Sequence, residues 1–106
     1  MADGFALTEA TYYILLSLVR PRHGYGIIQN VETLSGKRVR LAAGTLYGAI
    51  NTLLEKGWIC ALPEEKDSRK KEYLITEGGR LALADEMTRL RELLDNGNRI
   101  MEENGL

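Results

Sequence analysis

Between Thr76 and Asn104 no residue breaks a helix firmly, and this stretch limits the folds open to the chain. Thr76 is a good N-cap, with the acidic Glu77 in the first turn. Gly78, Gly79 and Gly97 weaken the helix without ending it. At 1.5 Å per residue, such a helix is about 40 Å long. Leu83, Met87, Leu90, Leu94 and Met101 follow the spacing of a coiled-coil seam, Gly97 fills one seam position, and Leu93 and Ile100 widen the stripe. A chain of 106 residues suits one domain with one modest core. That domain is too small to cover so long a seam. The simplest cover is a second copy of the same helix, which makes the chain a two-fold homodimer.

The first helix points the same way. Thr8 is a plausible N-cap after a short arm, and the helix runs to about Arg20, where Pro21 ends it. Its run Tyr12-Tyr13-Ile14-Leu15-Leu16 is apolar nearly all round. A short helix of that kind needs cover on more than one side. The expected dimer interface therefore joins Tyr12 and Leu16 to Leu83, Met87, Leu90, Leu94 and Met101. A hydrophobic or aromatic effector would enter between the first helix and the partner's long helix, near Tyr12, Tyr13, Leu16, Met87 and Leu90.

Arg20-Pro21-Arg22-His23-Gly24 reads as a turn with two positive charges. His23 has no cysteine or carboxylate cluster near it in sequence, so it is a turn residue rather than a ligand or catalyst. A second helix follows from about Tyr25 to Leu34, with Ile27, Val31 and Leu34 inward and Gly36 as a stop. Lys37-Arg38-Val39-Arg40-Leu41 alternates charged and apolar residues and predicts a short strand.

The stretch from Leu41 to Gly57 reads as a helix with two faces. Leu46, Ile50, Leu53 and Leu54 form a core-facing stripe. Thr45, Tyr47, Gly48, Asn51, Thr52 and Glu55 fall on the other side, and Gly57 stands where a left-handed cap belongs. The outward face is small and polar, with one charge, a phenol and an amide. Gly48 costs the helix about 1 kcal/mol relative to alanine. Such a face can enter a DNA major groove.

Trp58-Ile59-Cys60-Ala61-Leu62 and Glu72-Tyr73-Leu74-Ile75 predict two strands joined by a long charged tip. Arg69, Lys70 and Lys71 in that tip can lie on phosphates. Cys60, which alternation puts on one face with Trp58 and Leu62, is expected in the core. As the single cysteine it cannot form an internal disulfide, which fits a reducing cytoplasm.

The fold class expected is α+β and mostly helical. It is a winged helix-turn-helix at residues 1–76, followed by a long C-terminal dimerisation helix at 77–106. The formal net charge is −1, but it is unevenly spread. Residues 1–80 hold 11 Lys+Arg against 9 Asp+Glu, and residues 81–106 hold 3 against 6. No apolar run is long enough to span a bilayer, and no signal peptide is visible, so no membrane partner is expected. No nucleophile–histidine pair, glycine-rich phosphate loop or metal-ligand spacing is present. An enzyme, a cofactor and a metal are therefore not expected. The remaining partners are double-stranded DNA and a second copy of the chain. The DNA contacts expected are Arg38, Arg40, Ala43, Gly44, Thr45, Tyr47, Gly48, Asn51, Arg69, Lys70 and Lys71. A winged-helix module for protein contacts without DNA binding, or a MarR-like regulator, is the alternative.

Four pieces in order resemble the PadR-type winged-helix transcriptional regulators. They are His23-Gly24-Tyr25-Gly26-Ile27, Gly44-Thr45-Leu46-Tyr47, Leu53-Leu54-Glu55-Lys56-Gly57-Trp58-Ile59, and Arg69-Lys70-Lys71-Glu72-Tyr73 with Thr76-Glu77-Gly78-Gly79. The resemblance covers roughly residues 7 to 96. It implies a dimer that binds operator DNA near its own or neighbouring genes and usually represses them, and the two-fold pairing makes that operator an inverted repeat. By position it gives Thr45 and Tyr47 DNA contacts at the start of the recognition helix and puts Lys70 and Lys71 in the wing. Tyr25 and Tyr73 would be structural or contact phosphate. Family members often carry proline where this chain has Gly48 and a more basic residue where it has Asn51. The single C-terminal helix matches the family's short subgroup.

Overall fold

The computed structural model describes residues 6–64 and 70–106. Thr8 starts the first helix through its side chain, which accepts a hydrogen bond from the Thr11 N–H, and α1 runs Glu9–Ser17. The helix ends three residues before the expected Arg20. The reason lies in the carbonyls of its last turn. Ser17 donates its hydroxyl back to the Tyr13 carbonyl and accepts from the Asn30 amide, while its own carbonyl takes the Arg22 Nε–H at 2.8 Å. The Leu18 carbonyl accepts from the Ile75 N–H at 2.8 Å. These bonds turn the chain into a short strand, β1, at Arg22–His23. His23 then caps α2, Gly24–Leu34, because its Nδ1 accepts the Gly26 N–H. Ile27 and Val31 are fully buried, but Leu34, expected inward, is 47 % exposed because the last turn of α2 runs past the core.

The strand expected at Lys37–Leu41 does not form. Gly36 and Lys37 both take positive φ, 61° and 69°, so the chain reverses there. Val39 then donates its N–H to the Ser35 hydroxyl instead of to a neighbouring strand. The sheet position it would have filled is taken by β1. After this loop α3 runs Ala43–Glu55, with Leu46, Ile50 and Leu53 buried and Leu54 half-buried. Gly57, just past its C-cap Lys56, has φ 73°, as its place in the sequence requires.

Strands β2, Ile59–Ala61, and β3, Glu72–Ile75, pair antiparallel, and β1 lies on the other edge of β3. Register places Ile59 opposite Ile75 and Cys60 opposite Leu74. Ile59 and Ile75 face the core, so Cys60 faces out and is exposed. The expectation of a core cysteine had the phase of the alternation reversed. Its neighbour Trp58 is half-buried under the Lys56 ammonium, 4.7 Å from the ring centre, which holds it at the edge of the core rather than in line with Cys60.

The last helix, α4, runs Glu77–Glu103, with Thr76 as its N-cap. Thr76 ties this helix to the sheet three ways. Its N–H donates to the Trp58 carbonyl, its hydroxyl donates to the Gly57 carbonyl at 2.6 Å, and its Oγ1 accepts from the Gly79 N–H. A Cβ on Gly79 would stand 2.1 Å from the Trp58 carbonyl oxygen, so only glycine allows this approach. One turn on, Leu83 enters the same core as Ile14 and Leu15 of α1 and its C-cap Leu18. Much of the cover expected from a second chain around α1 thus comes from α2 and from the start of α4. Beyond it the helix leaves the domain, and every residue from 91 to 106 is exposed.

Glu86 is 5 % exposed and anchors the segment before α1 to α4. Its carboxylate takes both Nε and Nη2 of Arg89, at 2.7 and 2.6 Å, and also the Leu7 N–H. The Arg89 hydrogen bonds hold this carboxyl below its ordinary range against the opposing effect of burial. A depressed carboxyl stabilises the fold above the ordinary carboxylate range, and that stability is lost as pH falls through the folded value. Glu86→Gln should lower the thermal midpoint by about 5 °C at neutral pH. The gap between variant and wild type should narrow in melts below about pH 4. Gly79→Ala should cost about 2 kcal/mol in chemical denaturation, because a backbone carbonyl, not a flexible side chain, stands in the way.

Candidate nucleic-acid interface

The core stripe of α3 sets which of its residues look outward. Thr45, Tyr47, Gly48, Asn51, Thr52 and Glu55 are all exposed, and so are Ala43 and Gly44 in the first turn. A Cβ at Gly44 or Gly48 would meet nothing within 4 Å. No packing among the described residues therefore explains a helical glycine at position 48, which costs about 1 kcal/mol and leaves the backbone open to an outside partner. Ala42, the N-cap, makes no side-chain capping bond, and the first turn carries no carboxylate. The amide N–H groups and positive dipole end of α3 can thus receive an anionic group such as a phosphate. Thr52 turns its hydroxyl back to the Gly48 carbonyl, which occupies the donor of that side chain.

Charges around this face divide into two groups. Arg38 and Arg40, expected on DNA, are engaged by carboxylates of the first two helices. Both guanidinium Nη atoms of Arg38 hydrogen-bond the Glu9 carboxylate, which holds Glu9 below the usual carboxylate range. Arg40 Nε lies 3.5 Å from Glu32 and also donates to the Lys37 carbonyl. Both arginines remain exposed, so each pair is a solvated one that adds little to stability. Lys70 and Lys71 are exposed at the start of the returning strand, next to β3. Arg69 lies outside the described residues.

Tyr47 has a partner that the sequence did not suggest. Its ring lies against the backbone of Gly24 at the start of α2, where a Cβ would stand 2.3 Å from the phenol oxygen. The side chain is still 47 % exposed. Beneath it Tyr73 is buried in the core, and burial, with the Tyr47 phenol adding to it, pushes the Tyr73 phenol above its ordinary value. Tyr25, by contrast, is 65 % exposed. The His23-Gly24-Tyr25-Gly26 motif was the available signal for this contact, though only as a motif. Which of its residues would touch α3 depends on how α2 crosses α3.

The second surface lies on α4. Met87, Leu90, Leu94 and Met101 are exposed, joined by Leu93 and Ile100. Leu83, placed with them by spacing, belongs to the core of its own chain instead, because the first turns of α4 are docked on α1. Tyr12, Tyr13 and Leu16 are half-buried on α1. A cavity of about 230 Å³ opens elsewhere, between Leu7, Thr8 and Thr11 on one side and Thr52, Lys56 and Trp58 on the other. It contains none of the five residues expected to meet an effector. Among the described residues, no helix is long and apolar enough to cross a membrane.

Similarity to known proteins agrees with this architecture. A PadR family transcription regulator from Clostridium difficile superposes with a TM-score of 0.74 at 20% identity, covering 89% of this chain and 99% of that one. A PadR family transcriptional regulator from Eggerthella lenta gives 0.70 at 22%, with 87% and 80% covered. RosR of H. salinarum gives 0.69 at 24%, with 97% of each chain covered. At these identities the likeness is one of fold. A comparison with curated proteins found no match. The sequence model of the transcriptional regulator PadR-like family matches residues 13–85, which include α2, α3, the wing strands and the joint to α4. That match decides against the MarR-like alternative: the chain belongs to the PadR-like family of transcriptional regulators.

Proposed function

We propose that the chain is a transcriptional repressor that binds an inverted-repeat operator as a homodimer, with α3 in the major groove and the wing on the flanking backbone. The observation that carries this reading is the outward face of α3. It is uncharged over its first three turns, has room at Gly44 and Gly48, and starts on an N-terminus without a carboxylate. A surface of that kind suits close approach to base edges and phosphates. Family membership makes DNA the natural partner, and the chain's place would then be the cytoplasm. Thr45, Tyr47, Gly48 and Asn51 are the proposed base-side residues, with Ala43 and Gly44 approaching the backbone. Lys70, Lys71 and Arg69 are the proposed phosphate contacts of the wing. Arg38 and Arg40 would reach DNA only by exchanging a carboxylate for a phosphate.

The dimer rests on α4. Its last 13 helical residues, 91–103, are all exposed, yet carry Leu93, Leu94, Ile100 and Met101. A second α4, with Tyr12 and Leu16 of α1 at the margin, is the proposed cover. Two-fold pairing would set two recognition helices about one DNA turn apart. A hydrophobic or aromatic effector that enters near Tyr12, Tyr13, Leu16, Met87 and Leu90 would act by moving these helices.

Titration of duplexes from the chain's own promoter tests the DNA contacts. Lys70→Ala with Lys71→Ala should weaken binding to every sequence alike and reduce the slope of log K against log salt by about 2. Unchanged affinity and slope would remove the wing from the interface. For the dimer, light scattering on the wild type should give twice the chain mass. Leu90→Glu should give single chains and lose operator binding, while circular dichroism shows its helices intact. A variant that still dimerises and binds normally would refute the α4 interface.

A further inference from the structure

Gly24 and Tyr47 are 23 residues apart in sequence and lie on different helices, yet one is shaped to the other. The phenol oxygen of Tyr47 fills the place where any other residue at position 24 would carry its Cβ, with the ring carbon Cζ 2.9 Å from the same point. Gly24 is itself buried at the start of α2. The Tyr47 ring thus lies on the first turn of α2, while about half its surface remains open on the outward side of α3.

The reach of this contact differs from that of Leu46, Ile50 and Leu53. Those side chains hold α3 onto the core through the opposite face of the helix. They fix its distance from the core and which face looks outward, and leave the fine adjustment of its roll to contacts at its side. Tyr47 sits on the outward face, one residue from Gly48 and two from Thr45, and braces the helix from the side. A brace there sets the roll of α3 and so the angle at which Thr45 and Asn51 are presented. The α3 N-terminus has no side-chain cap to do the same.

We infer that Gly24 and Tyr47 form a single positioning device for the recognition helix. The missing side chain at position 24 seats the tyrosine, and the seated tyrosine sets the register of α3 against DNA. Tyr47 is then a positioning residue first, and its effect on sequence preference passes through Thr45 and Asn51. This inference rests on the DNA-binding reading above.

A double-mutant cycle on the full-length chain tests it, with Gly24→Ala, Tyr47→Phe, Tyr47→Ala and the double variants. The probe is a pool of random-sequence duplexes enriched by the wild type, read both as affinity and as base preference. Gly24→Ala should unseat the ring, weaken the enriched sites about tenfold and change the preferred bases. In the Tyr47→Ala background the same glycine change should cost less than about twofold, because there is no ring left to unseat. Tyr47→Phe, which removes the oxygen at 2.3 Å, should make Gly24→Ala milder than it is in the wild type. A purely structural role for Gly24 predicts instead equal losses in every background and an unchanged base preference, and that result would overturn the inference. Should Gly24→Ala fail to fold, its effect in the Tyr47→Phe background is set against its effect in the Tyr47→Ala background, where a larger loss with the ring present is expected and equal losses overturn the inference. A wild type that enriches no sequence, with no salt dependence, would overturn the DNA-binding reading and this inference with it. Enrichment by the wild type with additive losses overturns the inference alone.

Discussion

The joint between β2 and α4 carries the rest of the architecture. Thr76 spends its N–H and its hydroxyl on the carbonyls of Trp58 and Gly57, and Gly79 lets the helix come within contact of the Trp58 backbone. Because backbone groups make this joint, it has little freedom to bend. The direction in which α4 leaves the domain is fixed within its first turn. Everything outside the domain follows from that direction, since 27 helical residues turn any change of angle at Gly79 into a displacement many ångströms away at Glu103. In a two-fold dimer of this chain, the spacing of the two α3 helices would be set at the same place.

Two buried polar groups support the joint from the other side of the core. Ser17 collects bonds from Asn30 and Arg22 and gives its own to Tyr13, closing α1, α2 and β1 into one unit. Glu86 holds Arg89 and the Leu7 N–H, which keeps the chain before α1 on the surface of α4. Every hydrogen-bonding atom on these side chains that is buried has a partner, as low-dielectric surroundings demand. The core between them is largely aliphatic, and these directional bonds add to its packing in fixing how the helices lie.

The helices were legible because their signals are local. Thr8 and Thr76 cap as their sequence positions suggest, Gly57 takes the left-handed conformation, and the stripe of α3 faces inward as its spacing requires. The errors all concern choices that sequence spacing leaves open. Lys37–Leu41 alternates like a strand, but β3 has only one free edge, and Arg22–His23 reaches it. Cys60 lies on an alternating strand whose phase was decided by Ile59 pairing with Ile75. Leu83 keeps the seam spacing, yet the docking of α4 on α1 places it in the core. Nor does spacing show that the fold brings Glu9 beside Arg38 and Glu32 beside Arg40, whose part in DNA contact is a separate question. The Tyr47–Gly24 contact depends on how two helices cross, and no periodicity encodes that.

Charge is the last constraint, and it acts by placement. A net charge of −1 argues against broad electrostatic capture of DNA. The structure lowers the free positive charge further, since Arg38 and Arg40 are shared with carboxylates and Arg89 is spent on Glu86. At the same time the acidic excess after residue 80 is carried outward along α4, away from α3. What the α3 face offers is therefore a neutral surface with an open helix N-terminus, flanked on the wing side by Lys70 and Lys71. Such a surface gains little from long-range attraction and depends on short-range fit. Fit of that kind requires α3 to be held at one angle. The stripe of Leu46, Ile50 and Leu53 turns that face outward, and the Tyr47 ring seated against Gly24 braces it from the side.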